Sequence, residues 1–196
     1  MFKIIGQIIK IMKEANVKLM QLIEFLMNAV QDTYEDEWYM DFIEFFNALG
    51  PLAAKYLSEF PTEESKFMWF LVKYTDREEK AIDIVMEQLP LIEVMINYLQ
   101  HESLPLFTVS LRLIGNISSS TITTYSETFY KNGLLEALTI GWKRIELHPD
   151  LDKEVCWLLS NMIASNSVYI TKSILNNAFI TNKFKEILSF EKPGQT

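Results

Sequence analysis

The stretch EVCWLLSNMIAS, residues 154–165, sets Trp157 and Asn161 four positions apart. On an α-helix that spacing places both side chains on one face, a turn from each other. Forty-five residues earlier, SLRLIGNISSS holds Arg112 and Asn116 at the same spacing among similar apolar neighbours. Another 43 residues back, KFMWFLVKYT holds Trp69 and Lys73, and 45 before that LIEFLMNAV holds Glu24 and Asn28. One helical site returning every 43 to 45 residues predicts a repeat array, in which each unit buries its apolar face against the next.

Composition agrees with a folded chain of this kind. Of 196 residues, 49% are hydrophobic and 22% charged, enough to bury a sizeable core and too apolar for disorder. The net charge of −8 argues against nucleic acid, whose phosphates need clustered Lys and Arg, and favours a basic protein or peptide. A single cysteine, Cys156, leaves no internal disulfide and fits a reducing compartment. No run of 18 apolar residues is present, so no membrane span is expected.

The apolar spacing is helical throughout. Leu19, Leu22, Ile23, Leu26, Met27 and Val30 follow the 3.6-residue period, as do Val155, Leu158, Leu159 and Met162. Polar breaks separate the periodic segments: QDTYEDE, SEFPTEES, YTDREE, QHESLP, SSSTIT, ELHPDLD and ASNS. Gly50-Pro51, Pro61, Pro90, Pro105 and Pro149 fall at or near these breaks, where proline and glycine start or stop helices. One unit reads as a helix in GLLEALTIGWKRIEL opened by Gly133, a turn and long helix in HPDLDKEVCWLLSNMIAS, and a short helix in NSVYITKSILNNAF. Three helices in 42 to 45 residues match the armadillo class better than paired-helix repeats. The expected fold is therefore all-α, a right-handed α-solenoid of about four armadillo-like repeats. The repeats run roughly 1–33, 34–78, 79–121 and 122–166, with a partial one at 167–192 and a tail at 193–196. At the amino terminus MFKIIGQIIKIMK carries Lys3, Lys10 and Lys13 without an acid. It is read as a structural first helix rather than a targeting segment, since it lacks Arg, Ser and a cleavage pattern.

LRLIGN (111–116), followed by KEVCWLLSN (153–161), resembles consecutive third helices in the later part of the importin-α (karyopherin-α) armadillo array. That family shows an Arg-x-x-x-Asn helix followed by a Cys-Trp-x-x-Ser-Asn helix. YLQHESLPLFTVSLR is similar to the family's approach to the arginine helix, and ALGPLAAKYLSEFPTEESKFMWFL to the preceding repeat. The resemblance spans roughly residues 20–190, is closest over 95–180, and lies with the central-to-later repeats, without the arm that binds importin-β.

The resemblance implies a concave groove for an extended Lys/Arg-rich peptide, lined by Trp157, Asn161, Glu154, Arg112, Asn116 and Trp69. Each Trp would pack on a basic side chain, each Asn would hold peptide backbone, and acids would supply the field. Only Trp157 with Asn161 and Glu154 keeps the full pattern. Lys73 and Lys66 place cations beside Trp69, and Glu24 stands where a tryptophan is expected beside Asn28. The implied function is an adaptor binding nuclear-localisation-type peptides for nuclear import, cytoplasmic and nuclear in location. The alternative is a shortened relative kept as a structural subunit or scaffold of a larger complex, including an organellar or cytoskeletal one. Apolar stripes in FKIIGQIIKIM and ITNKFKEILSF point to covering neighbours.

Other residues carry no chemistry in this reading. Trp38 and Trp142 are packing residues, and Cys156 is a small buried hydrophobe. His101 and His148 lie in turns without ligands at metal-binding spacing. Glu35-Asp36-Glu37 is a solvated loop, and the sequon Asn116-Ile117-Ser118 lies inside a helix and is accidental. No nucleophile–base pair or cofactor loop suggests an enzyme, and no cofactor or metal is expected.

Overall fold

In the computed structural model the described residues are 68–190, except 70, 74, 77, 78, 88, 89, 146 and 147. The readings made for Glu24, Asn28, Glu35-Asp36-Glu37, Trp38, Lys66 and the amino-terminal helix lie outside them. The described structure is all-helical. Residues 68, 69, 71–73 and 75 are helical, and then follow α1 (Glu79–Glu87), α2 (Pro90–Tyr98), α3 (Leu104–Ser118), α4 (Thr123–Lys131), α5 (Leu134–Arg144), α6 (Asp150–Ala164), α7 (Val168–Asn176) and α8 (Ala178–Phe190).

The ends of α3 and α6 fall in the polar breaks, whereas the α1–α2, α4–α5 and α7–α8 junctions do not. Pro90 opens α2, Pro105 lies in the first turn of α3, and Pro149 immediately precedes α6. Each is placed where a missing backbone N–H costs nothing. His101, exposed in the α2–α3 turn, accepts the Ser103 N–H on Nδ1 at 3.0 Å just ahead of α3. That bond uses the histidine as a local turn brace.

Helices α1–α3 and α4–α6 form two trios. Beyond neighbours in sequence, the main packing partners are α3 with α6 and α2 with α5, the equivalent helices of the two trios. One apolar core runs through both, from Met68 and Leu71 through Leu111, Leu113 and Ile114 to Leu158, Leu159 and Ile180. Trp142 is fully buried in it, with Phe179 and Phe184 edge-on and its indole N–H donated to Asp152 at 2.6 Å. The trios approach closely because of a glycine. A Cβ on Gly141 of α5 would lie 2.1 Å from the Leu99 carbonyl oxygen, inside atomic contact.

Polar side chains repeat the same offset. Glu79 accepts from the Ser120 hydroxyl and the Thr121 N–H and hydroxyl, and Asp83 accepts the Tyr125 hydroxyl at 2.6 Å. Thr123 donates to the Ser165 carbonyl, Glu127 accepts from Ser167, and the Tyr130 and Ser173 hydroxyls meet at 2.7 Å. Arg144 reaches the Gln100 carbonyl, and Asn177 reaches Thr139. The partners in these bonds are 38 to 44 residues apart, so one helical layer is laid on the next at nearly constant register.

Candidate functional site

The residues singled out in the sequence meet along α3 and α6 and the helical segment 68–75. Trp69 is half-buried on that segment. Arg112, from the middle of α3, places its guanidinium carbon 5.3 Å from the centroid of the Trp69 ring. Its Nη2 donates to Glu154 Oε1 of α6 at 2.6 Å, with the two side chains 42% and 26% exposed. Trp69, Arg112 and Glu154 thus form one bridge across three successive layers. Arg112 Nε is buried with no acceptor, which leaves Trp69 and Glu154 to position the guanidinium.

The two asparagines point backwards along the stack. Asn116 is 5% exposed, and its amide nitrogen donates to the Val72 carbonyl at 2.8 Å and to Thr75 Oγ1 at 3.1 Å. Thr75, itself buried, passes its proton to the Leu71 carbonyl at 2.8 Å. Asn161 is only half-buried, and its amide donates to the Gly115 carbonyl at 3.0 Å. In both cases a long helix is tied by an asparagine to the backbone of a helical segment more than 40 residues before it. Arg112, Glu154, Trp157 and Asn161 lie where α3 meets α6 and are all partly or largely exposed, whereas Asn116 is buried between α3 and the segment 68–75.

Trp157 is the exposed aromatic of this seam, at 39%. Its indole lies on Gly115 of α3: a Cβ there would be 2.1 Å from the ring carbon Cζ3 and 2.8 Å from two others. The bare glycine backbone is the shelf that holds the ring. Gly115 was not among the residues picked out in the sequence. Its signal was a glycine inside a strongly apolar helical run, which costs helix stability unless close approach requires it.

Cys156 corrects an expectation. It is half-buried rather than buried, because its position on α6 falls between the core-facing Val155 and the solvent-facing Trp157. Burial, then the charge of Asp152, push its thiol up from the ordinary range, so it does not supply a thiolate at neutral pH. Lys73 is exposed on the Trp69 helix. Among the described residues no group of three His, Cys, Asp or Glu side chains could hold a metal ion. No helix among them is long and apolar enough to cross a membrane.

Comparison with protein-family models, with curated proteins and with solved structures returned no match.

Proposed function

We propose that the chain is an armadillo-like right-handed α-solenoid, a relative of importin-α, acting as a non-catalytic protein-binding scaffold and structural subunit of a larger assembly. Its period of 43 to 45 residues, the three-helix layers and the packing of equivalent helices support the solenoid. The observation that carries the functional choice is how the groove's polar groups are used. Arg112 is held by Glu154 and Trp69, and the Asn116 amide is held by Val72 and Thr75. A ladder that captures a peptide needs those aromatic faces and amides open to the ligand. Here they join layer to layer and stiffen the stack.

Purification of the tagged chain from native extract tests this. A stoichiometric complex that survives gel filtration and lacks transport factors is the expected result. A free monomer, or capture of soluble import factors with basic cargo, overturns it.

A second function is favoured by one specific feature. Trp157 remains accessible on its glycine shelf, with Asn161 and Glu154 on the same helix. That unit could take a single Lys or Arg of a basic segment. With only a few contacts of about 1 kcal/mol each, the Kd for a lysine-rich peptide is expected in the tens of micromolar or weaker. Fluorescence titration of such a peptide against the native chain and Trp157→Ala measures it. Submicromolar binding, insensitive to salt and to Trp157→Ala, would exclude this account.

A further inference from the structure

Helices α1, α4 and α7 are each nine residues long and occupy the same place in successive layers. Their first, fifth and eighth positions form one stripe, at a spacing of four and then three residues. In α1 the stripe is Glu79, Asp83 and Met86, and in α4 it is Thr123, Glu127 and Tyr130. Both stripes hold the following layer. Glu79 and Asp83 accept from Ser120, Thr121 and Tyr125, while Thr123, Glu127 and Tyr130 engage Ser165, Ser167 and Ser173. At the fifth position the holding group is a carboxylate each time, and it receives a hydroxyl from the incoming layer.

In α7 the same stripe is Val168, Lys172 and Leu175. Val168 is 62% exposed and Leu175 58%, with Tyr169 beside them at 77%. These are three of the exposed large apolar side chains of the described structure, gathered on one short helix. The fifth position has changed sign, from carboxylate to ammonium. A layer that docks here must therefore offer an acceptor where the internal layers offer hydroxyl donors.

Resting on the scaffold reading, we infer that the Val168–Lys172–Leu175 face of α7 is the docking surface for a helix of a partner protein, amphipathic and acidic, whose carboxylate pairs with Lys172. Charge carries the choice of occupant. Residues 168–190 hold three lysines and one glutamate, in a chain of net charge −8. An acidic helix is attracted to this face and a basic one is repelled. A second copy fits poorly. The segments that meet these stripes in this chain, 120–125 and 165–173, are already engaged in its own layers, and at the fifth position they present hydroxyls.

Carbodiimide coupling, which joins a lysine amine to a carboxylate in direct contact, tests the pairing on the native complex. The complex is purified through a tag on this chain, coupled, digested and analysed by mass spectrometry. The expected product joins Lys172 to an Asp or Glu in an amphipathic helix of another protein. Lys172→Arg should keep the partner and lose that product. Lys172→Glu, a surface change that leaves the core alone, should lower the co-purified partner about tenfold, because repulsion replaces attraction. Coupling of Lys172 to a second copy or to this chain itself overturns the inference, as does partner recovery unchanged by Lys172→Glu. A complex that forms without involving Lys172 defeats this surface and leaves the scaffold standing. A chain that is free in native extract defeats both.

Discussion

Replacing Gly115 by alanine isolates the contact on which Trp157 rests. Taken alone, Gly→Ala in the interior of a helix stabilises by about 0.5–1 kcal/mol, since glycine surrenders more backbone freedom on folding. In this structure the new methyl would sit 2.1 Å from Trp157 Cζ3, so the indole must swing off α3 towards solvent. Uncovering roughly 50–80 Å² of apolar surface costs about 1–2 kcal/mol, and a displaced χ angle adds up to about 1 kcal/mol. Gly115→Ala should thus destabilise the native background by about 0.5–2 kcal/mol. In a Trp157→Ala background the obstruction is gone, and the same change should stabilise by about 0.5–1 kcal/mol. The sign reversal is the signature, with a coupling of about 1–3 kcal/mol between the two positions. Urea unfolding followed by far-ultraviolet circular dichroism measures all four corners of the cycle. Tryptophan emission should shift to the red in Gly115→Ala as the ring enters water. Equal stabilisation in both backgrounds would refute the seating of Trp157 on Gly115.

Asn116→Ala should destabilise by about 1–2 kcal/mol and Asn161→Ala by less than about 1 kcal/mol, because the first bond is buried and the second is partly replaced by water; urea midpoints that rank the pair in reverse would contradict the layer ties. Arg112→Gln should cost about 0.5–1.5 kcal/mol, through lost pairing with Glu154 and lost stacking on Trp69, and Glu154→Gln about 0.2–1 kcal/mol. Both effects should shrink in high salt, and effects independent of salt would show that the ion pair contributes little. The Tyr125 hydroxyl is pushed up to about 12 from 10.0, by burial first and then by its bond to Asp83. Since the folded state keeps a proton that the unfolded chain gives up, this contribution holds below pH about 10 and is lost as pH rises towards about 12. Tyr125→Phe should flatten that part of the pH dependence of the unfolding midpoint, and an unchanged slope would exclude it.

That the chain is helical, and where several of its helices begin, was legible in the residues alone. The apolar spacing of Val155, Leu158, Leu159 and Met162 can only be satisfied by one buried helical face, and α6 buries all four. Prolines at 90, 105 and 149 cannot sit in a helix interior, so they marked where helices begin. Those are local rules, acting over three or four residues. Tertiary structure decided which side chains of the repeated site remain open. Asn116 and Asn161 stand equally far behind Arg112 and Trp157 in sequence, yet one is buried on the Val72 carbonyl and the other half-exposed on Gly115. The Arg112 guanidinium was as available to a ligand as Trp157 when judged by spacing, but Glu154, 42 residues on, holds it. A side chain's reach across layers depends on helix separation, and that depends on glycines such as Gly115 and Gly141 whose neighbours are 42 residues away in the chain. Periodicity within a helix carries no record of that distance, so the sequence determined the helices, and only their packing determined how the polar groups between them are used.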